Sequence, residues 1–195
     1  DDWDWMLAVN LHGVFNGVRS FLPHLRRHGE GAHIVSTASM GGLMVTSQGG
    51  VYSTAKYGVV AMMQCLREDL AAEDIGVSVL CPAAVNTNIF EHDRLRPEEF
   101  ADSGFDLPPQ AKAAALTGLK AMLARGMDPR QVGRIVLDGV RRNAFYLFTH
   151  NMAQGIRQRR DALLASLPDE PINAARLEVD MRIREMMKRN LQRSP

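Results

Sequence analysis

Three features of the chain point to an α/β fold, a parallel sheet with helices packed on its faces. Two short β-branched runs, Ala32 to Thr37 and Val77 to Cys81, flank a long helical pattern at the spacing of a β-α-β unit. Both runs read as buried strands, each closed by small residues or proline. The whole, 195 residues with 46% apolar and 23% charged side chains, has the size and composition of one globular domain. The same totals exclude collagen-like, disulfide-dense and intrinsically disordered classes.

The elements follow in order. Leu7, Leu11, Val14, Phe15, Val18, Leu22 and Leu25 recur on one helix face, predicting a single long helix from Asp4 to Arg27. Acids stand at its start and Arg26, Arg27 and His28 at its end, as the helix dipole favours, and Gly29 is its stop. After the first strand, the run Ser39-Met40-Gly41-Gly42 reads as a loop. Ala55, Val59, Met62, Met63, Leu66 and Leu70 then predict a second long helix, Val51 to Glu73. The second strand ends at Pro82, and periodicity is lost to about Gln110, where prolines and acids accumulate. A long irregular stretch in a compact domain is expected to be a binding loop or lid. A weak helix is expected from Lys112 to Arg125. Asp128-Pro129 supplies an N-cap and a proline at the first helical position of another helix, and Phe145 to Phe148 is a third strand at or near the sheet edge. Residues 1–150 thus form one domain with an irregular loop at about 86–110. Residues 151–195 form a helical C-terminal extension in two pieces, broken by Pro168 to Pro171.

Charge and composition narrow the partners. With 23 basic and 22 acidic side chains the net charge is +1, which gives no global field for nucleic acid or an anionic membrane. The tail's nine basic against six acidic residues read as a solvated helical surface. No stretch reaches the roughly 18 to 20 apolar residues of a membrane helix, no signal segment opens the chain, and a cytoplasmic location is the expectation. Cys65 and Cys81 read as reduced, buried and structural. The six histidines form no metal-ligand spacing with one another, with cysteine or with carboxylates, so no metal is expected. Met62 and Met63 read as helix packing. A Ser-His-Asp hydrolase would need a Gly-x-Ser-x-Gly turn, absent around Ser39. The chain opens on Asp1-Asp2-Trp3-Asp4, already in helical periodicity, and is expected to be the later part of something longer.

The most informative spacing is Tyr52-Ser53-Thr54-Ala55-Lys56. Residues four apart share a helix face, so the phenol and the ammonium are neighbours near a helix N-terminus. Both the cation and the helix end favour the phenolate, which suits the phenol to general acid/base work. Alone the pair is common, and a packed aromatic beside a solvated lysine would explain it. Its company matters. Ser39 stands at the exit of the first strand and Cys81 to Thr87 at the exit of the second, and in open parallel sheets ligands bind outside those carboxyl ends. Asn10 lies inside a helix, where its amide competes for backbone hydrogen bonds.

Asn10 in Asn-Leu-x-Gly-Val-Phe, Ser39 in Ser-Thr-Ala-Ser-Met-Gly-Gly, Tyr52-x-x-x-Lys56 and Pro82-x-x-Val85-x-Thr87, in this order, resemble the short-chain dehydrogenase/reductase family from Asp1 to about Thr149. The resemblance implies a three-layer, Rossmann-like, doubly wound parallel sheet, here an incomplete C-terminal part with about three strands. It implies an oxidoreductase moving a hydride between NAD or NADP and an alcohol or carbonyl carbon. Tyr52 would exchange the proton with the substrate oxygen, Ser39 would hydrogen-bond that oxygen, and Lys56 would favour the ionised tyrosine and hold the nicotinamide ribose. Asn10 would break helix bonding locally and support a water linking Lys56 to solvent. Pro82, Val85 and Thr87 match cofactor-contacting positions, although Ala83 stands where the family usually has glycine. Met40, Met44 and Phe90, in loops flanking the crevice, are candidates for an apolar substrate pocket.

The family's opening strand, glycine-rich phosphate turn and NAD-or-NADP selecting residue are not found in this sequence. The two long helices correspond to the pair that members use to form dimers or tetramers, with Phe15, Arg19, Met63 and Arg67 as a candidate exposed face. The competing expectation is a catalytically silent, truncated homologue serving as an oligomerisation or scaffold module. A dehydratase or epimerase using the same Tyr and Lys stands behind both.

Overall fold

The computed structural model describes residues 2–45, 47, 49–100, 108–169 and 173–191. The chain divides into two compact units, Asp1–Met152 and Ala153–Pro195.

In the first unit, helix α1 (Asp2–Leu7) continues through a π-helical turn, Ala8–His12, into α2 (Gly13–His28). The amide of Gly13 donates to the carbonyl of Ala8, the five-residue step of a π turn. The single α-helix expected from periodicity is therefore interrupted at Asn10. The interruption falls at Asn10, the residue whose amide is expected to compete for backbone hydrogen bonds. The turn packs on the next helix, and a β-carbon on Gly58 would lie 3.0 Å from the Leu11 side chain, so the extra residue seats Leu11 against a glycine gap. Helix α2 ends, as Gly29 predicts, in the left-handed conformation at φ 66°.

Strand β1 (Ala32–Thr37), helix α3 (Gly50–Asp69), strand β2 (Ile75–Cys81), helix α4 (Pro109–Ala124), helix α5 (Pro129–Arg141) and strand β3 (Tyr146–Phe148) follow. The three strands pair in the order β1-β2-β3, all parallel, with Ala32 opposite Ile75, Thr37 opposite Leu80 and Cys81 opposite Phe148. Strand β2 is central, and its side chains alternate. Val77, Val79 and Cys81 face a core shared with Val59, Val60, Met63, Leu66 and Leu70, whereas Leu80 faces a smaller cluster with Val132 and Leu147. Helices α3 and α5 thus cover opposite faces, giving the expected three layers. Each fully buried side chain of this kind contributes about 1.5–3 kcal/mol over its exposed state.

Asp128 caps α5 through a 2.7 Å bond from the Arg130 amide, with Pro129 in the first turn, as the sequence predicts. The segment after β2 contains 3₁₀ turns at Ile89–Leu95 and Glu98–Phe100, and α4 begins three residues before the expected Lys112. Part of the predicted loop, residues 101–107, lies outside the described residues. Two side-chain expectations are corrected. Cys65 is exposed, because it falls on the solvent side of α3. Met63 is 0% exposed and Arg67 bonds to β2, so neither belongs to an open helix face, while Phe15 and Arg19 of α2 are exposed.

The second unit comprises α6 (Ala153–Ala165) and α7 (Ala174–Leu191), the latter capped by Asn173 accepting from the Arg176 amide at 3.0 Å. Leu163, Leu164, Leu177 and Ile183 are exposed. No helix among the described residues is long and apolar enough to cross a membrane.

Candidate active site

The two strand exits are tied together by main-chain bonds. Ala38 donates to the Leu80 carbonyl at 2.8 Å and Met40 to the Pro82 carbonyl at 3.0 Å, continuing the ladder past the end of β1. Ala38 and Met40 turn into the core, so Ser39, between them in extended backbone, turns the other way. Its Oγ accepts from the Gly41 amide at 3.0 Å and caps a 3₁₀ turn, Met40–Gly42. The next residue must be glycine. A β-carbon on Gly42 would lie 2.6 Å from the Lys56 carbonyl oxygen, so the loop rests directly on the backbone of α3.

That contact brings the first turns of α3 to the loop. A β-carbon on Gly41 would lie 3.1 Å from Cε1 of Tyr52 and 3.5 Å from Oγ of Ser39, so phenol ring and hydroxyl border one small volume above Gly41. Tyr52 is 37% exposed and opens to solvent. Lys56, one turn on, is 9% exposed, with its Nζ 5.8 Å from the Tyr52 ring centroid and donating to the Thr37 carbonyl at 3.2 Å. Burial holds this ammonium below the usual lysine range. Cys81, buried beneath, has its thiol pushed up to about 11 and stays protonated. A shallow open depression at the start of α3 is lined by Val45, Gly49, Gly50, Ser53, Thr54 and Tyr57.

Pro82, Val85 and Thr87 line the neighbouring exit. Ala83 donates to Thr149 Oγ1 at 3.0 Å, Val85 pairs with Met127 in an isolated parallel bridge, and Thr87, exposed, bonds back to the Val85 carbonyl at 3.5 Å. The remaining candidates stand apart. Asn10 donates from Nδ2 to Met6 Sδ at 3.0 Å within the π turn. Met40 is 7% exposed and Met44 half-buried, both packed in the α3 core, and Phe90 lies under the Lys120 ammonium at 4.8 Å. Met40 is therefore a core residue first. Thr37, Met127 and Thr149 contribute groups that no sequence signal singles out, since each acts through its backbone or through a partner distant in the chain. Among the described residues no three His, Cys, Asp or Glu side chains cluster as a metal site.

Known proteins share this fold. The family model described as short chain dehydrogenase matches residues 1–98. The C alpha-dehydrogenase of Sphingobium sp. strain SYK-6 is 33% identical over 86% of this chain and 54% of its own, so the chain spans about half the length of that curated relative. A short chain dehydrogenase/reductase from Burkholderia phymatum, solved in complex with NAD, superposes with TM-score 0.76 at 33% identity over 88% of this chain and 62% of its own. LigO from Sphingobium strain SYK-6, in its apo form, superposes with TM-score 0.64 at 34% identity over 100% of this chain and 61% of its own. Half of the chain fits the family model and the fold is that of its solved members, so the chain belongs to the short-chain dehydrogenase family.

Proposed function

We propose that this chain supplies the proton-transfer groups of an NAD- or NADP-dependent oxidoreductase acting on an alcohol or carbonyl carbon. The observation that carries the reading is the meeting of Ser39 and Tyr52 over Gly41 with Lys56 buried one turn behind. A nicotinamide ring, when bound, accepts or delivers the hydride. In the oxidative direction Tyr52 takes the hydroxyl proton as the carbon gives up its hydride, and in the reductive direction it returns that proton to the oxygen. Ser39 donates its hydroxyl hydrogen to the same oxygen while charge develops there, its lone pair already engaged by the Gly41 amide. Lys56 stabilises the tyrosine's negative form through space.

The residues present fit the cofactor. Nζ of Lys56 carries three N–H groups, and Thr37 is its acceptor among the described residues, which leaves donors for vicinal ribose hydroxyls. Val85 and Thr87, at the second exit, would take the carboxamide side. Asn10, in the π turn, supports the helix break that a lysine-to-solvent water needs. Met44 and Phe90 are the apolar candidates for the substrate side. Copies of the chain associate through α2, where Phe15 is 48% and Phe21 66% exposed. Phe15→Arg should then shift the sedimentation of the whole protein toward monomer.

The test is Tyr52→Phe in the whole protein, followed by nicotinamide absorbance with a panel of apolar alcohols and ketones. Turnover should fall about 10²- to 10⁴-fold, the range of a lost acid/base group, with the melting temperature unchanged. Retained turnover would sink the assignment.

A further inference from the structure

We infer that Arg96 is a positioning residue that latches the segment Asn86 to Phe100 onto helix α1 and so sets the substrate side of the crevice. The role in substrate binding rests on the oxidoreductase reading above. The latch itself rests on geometry.

The segment leaves β2 at the crevice and contains neither strand nor α-helix, only the two 3₁₀ turns. Backbone bonding fixes its first residues, where Asn86 donates to the Met127 carbonyl at 3.0 Å and Met127 to that of Ala84 at 3.0 Å. Ten residues later the fixing passes to one side chain. Arg96 Nη1 donates to Asp2 Oδ1 at 2.6 Å and to the Phe100 carbonyl at 3.2 Å, and its guanidinium lies 4.3 Å over the Trp5 ring. The pair is largely shielded, with 18% of the Arg96 and 30% of the Asp2 side chain exposed, so solvent screens it less than an ordinary surface pair. Between the two fixed ends sits Phe90, beneath Lys120 of α4.

The far end of the segment that leaves β2 at the crevice is therefore tied to α1, 94 residues away in sequence, by an ion pair and a ring stack, while its middle rests against α4. Helix α1 in turn packs on α3, which carries Tyr52 and Lys56. Arg96 reaches no reacting group and sets where Phe90 stands. Only arginine meets all three demands, because the planar fork that bonds Asp2 and Phe100 also stacks on indole, whereas lysine keeps the charge alone.

The experiment compares Arg96→Gln and Arg96→Lys with the parent in the whole protein. Chymotryptic cleavage after Phe90, followed by mass spectrometry, should accelerate about tenfold in Arg96→Gln and less in Arg96→Lys, in line with a lost ion pair and cation–π contact. The chain has two tryptophans, so in a Trp3→Phe background the emission of Trp5 should shift to the red when Arg96 is replaced. The Michaelis constant should rise about five- to tenfold with kcat within about twofold, the signature of lost positioning rather than lost chemistry. Unchanged cleavage and emission would overturn the latch. Faster cleavage with an unmoved Michaelis constant would overturn the positioning role. Should the parent turn over no alcohol or ketone, the oxidoreductase reading falls, and cleavage and emission still decide the latch.

Discussion

Helix α3 carries two cations toward the same sheet, and they live differently. Arg67, near its C-terminal end, is tied to the protein through both Nη atoms. Its Nη1 donates to the Val77 carbonyl at 2.7 Å and to Asn143 Oδ1 at 2.9 Å, its Nη2 to the Asn143 carbonyl at 2.9 Å, and its guanidinium lies 5.9 Å from the Phe145 ring centroid. Lys56, eleven residues earlier and about 16 Å along the axis, is more buried and has the Thr37 carbonyl as its acceptor. A cation that bridges several acceptors distant in the chain holds the chain together. One buried with donors to spare costs stability, and that cost is explained when a ligand completes its shell.

The largest effect that tests this contrast is on turnover. Lys56→Met keeps the buried stem and removes the charge, so activity should drop about 10³-fold while the fold gains on the order of 1 kcal/mol from relief of desolvation. Urea titration reads the second quantity. The sign follows from the lowered lysine pKa: between the folded value and the ordinary one the unfolded chain binds more protons, so the parent's stability rises with pH through that window and the Met variant loses the rise. A Met variant less stable than the parent would make Lys56 a structural cation like Arg67. Next in size is Arg67→Ala, which strips three hydrogen bonds from the Val77 carbonyl and from the side chain and carbonyl of Asn143. Its cost should be about 3 kcal/mol in urea unfolding, with kcat little changed at temperatures where the variant is folded.

The two cations are not equally legible in the sequence. Tyr52 and Lys56 are four apart on a strong helical pattern, so spacing reveals their shared face, and the β-branched runs on either side reveal the strand exits they stand beside. The β-α-β order, the Gly29 stop and the Asp128-Pro129 start are legible for the same reason: local periodicity and capping chemistry act within a few residues. Periodicity places Met63 correctly on the packed stripe, and it is the family's oligomerising helix pair that suggests an exposed face for Met63 and Arg67, because the partners of Arg67 lie up to 76 residues away and no local pattern shows them. The Arg96–Asp2 pair leaves no sequence signal for the same cause, since it joins residues 94 apart. Asn10 marks a weak point in its helix without showing that the interruption takes the form of a π turn.

The smallest effect belongs to the Arg67 end, where His33 adjoins the Arg67 network. Ser78 Oγ donates to the Ala144 carbonyl at 2.6 Å, which leaves that oxygen to accept from His33 Nε2 at 2.7 Å, so one chain of bonds runs from β1 across β2 to the turn before β3. Charging the imidazole would keep the Nε2 bond, since protonation occurs at Nδ1. The penalty is electrostatic. Burial, and after it the charge of Arg67, hold His33 below its ordinary 6.5. Between that lowered value and 6.5 the unfolded chain binds a proton that the folded chain does not, so stability climbs with pH across this window and levels off above it. His33→Asn should flatten the climb in urea midpoints taken between about pH 5 and 7, and Arg67→Ala should reduce it by removing the second cause. If the climb survives both substitutions, its source lies outside the network, and the Arg67 end is indifferent to charge in a way the contrast with Lys56 does not allow.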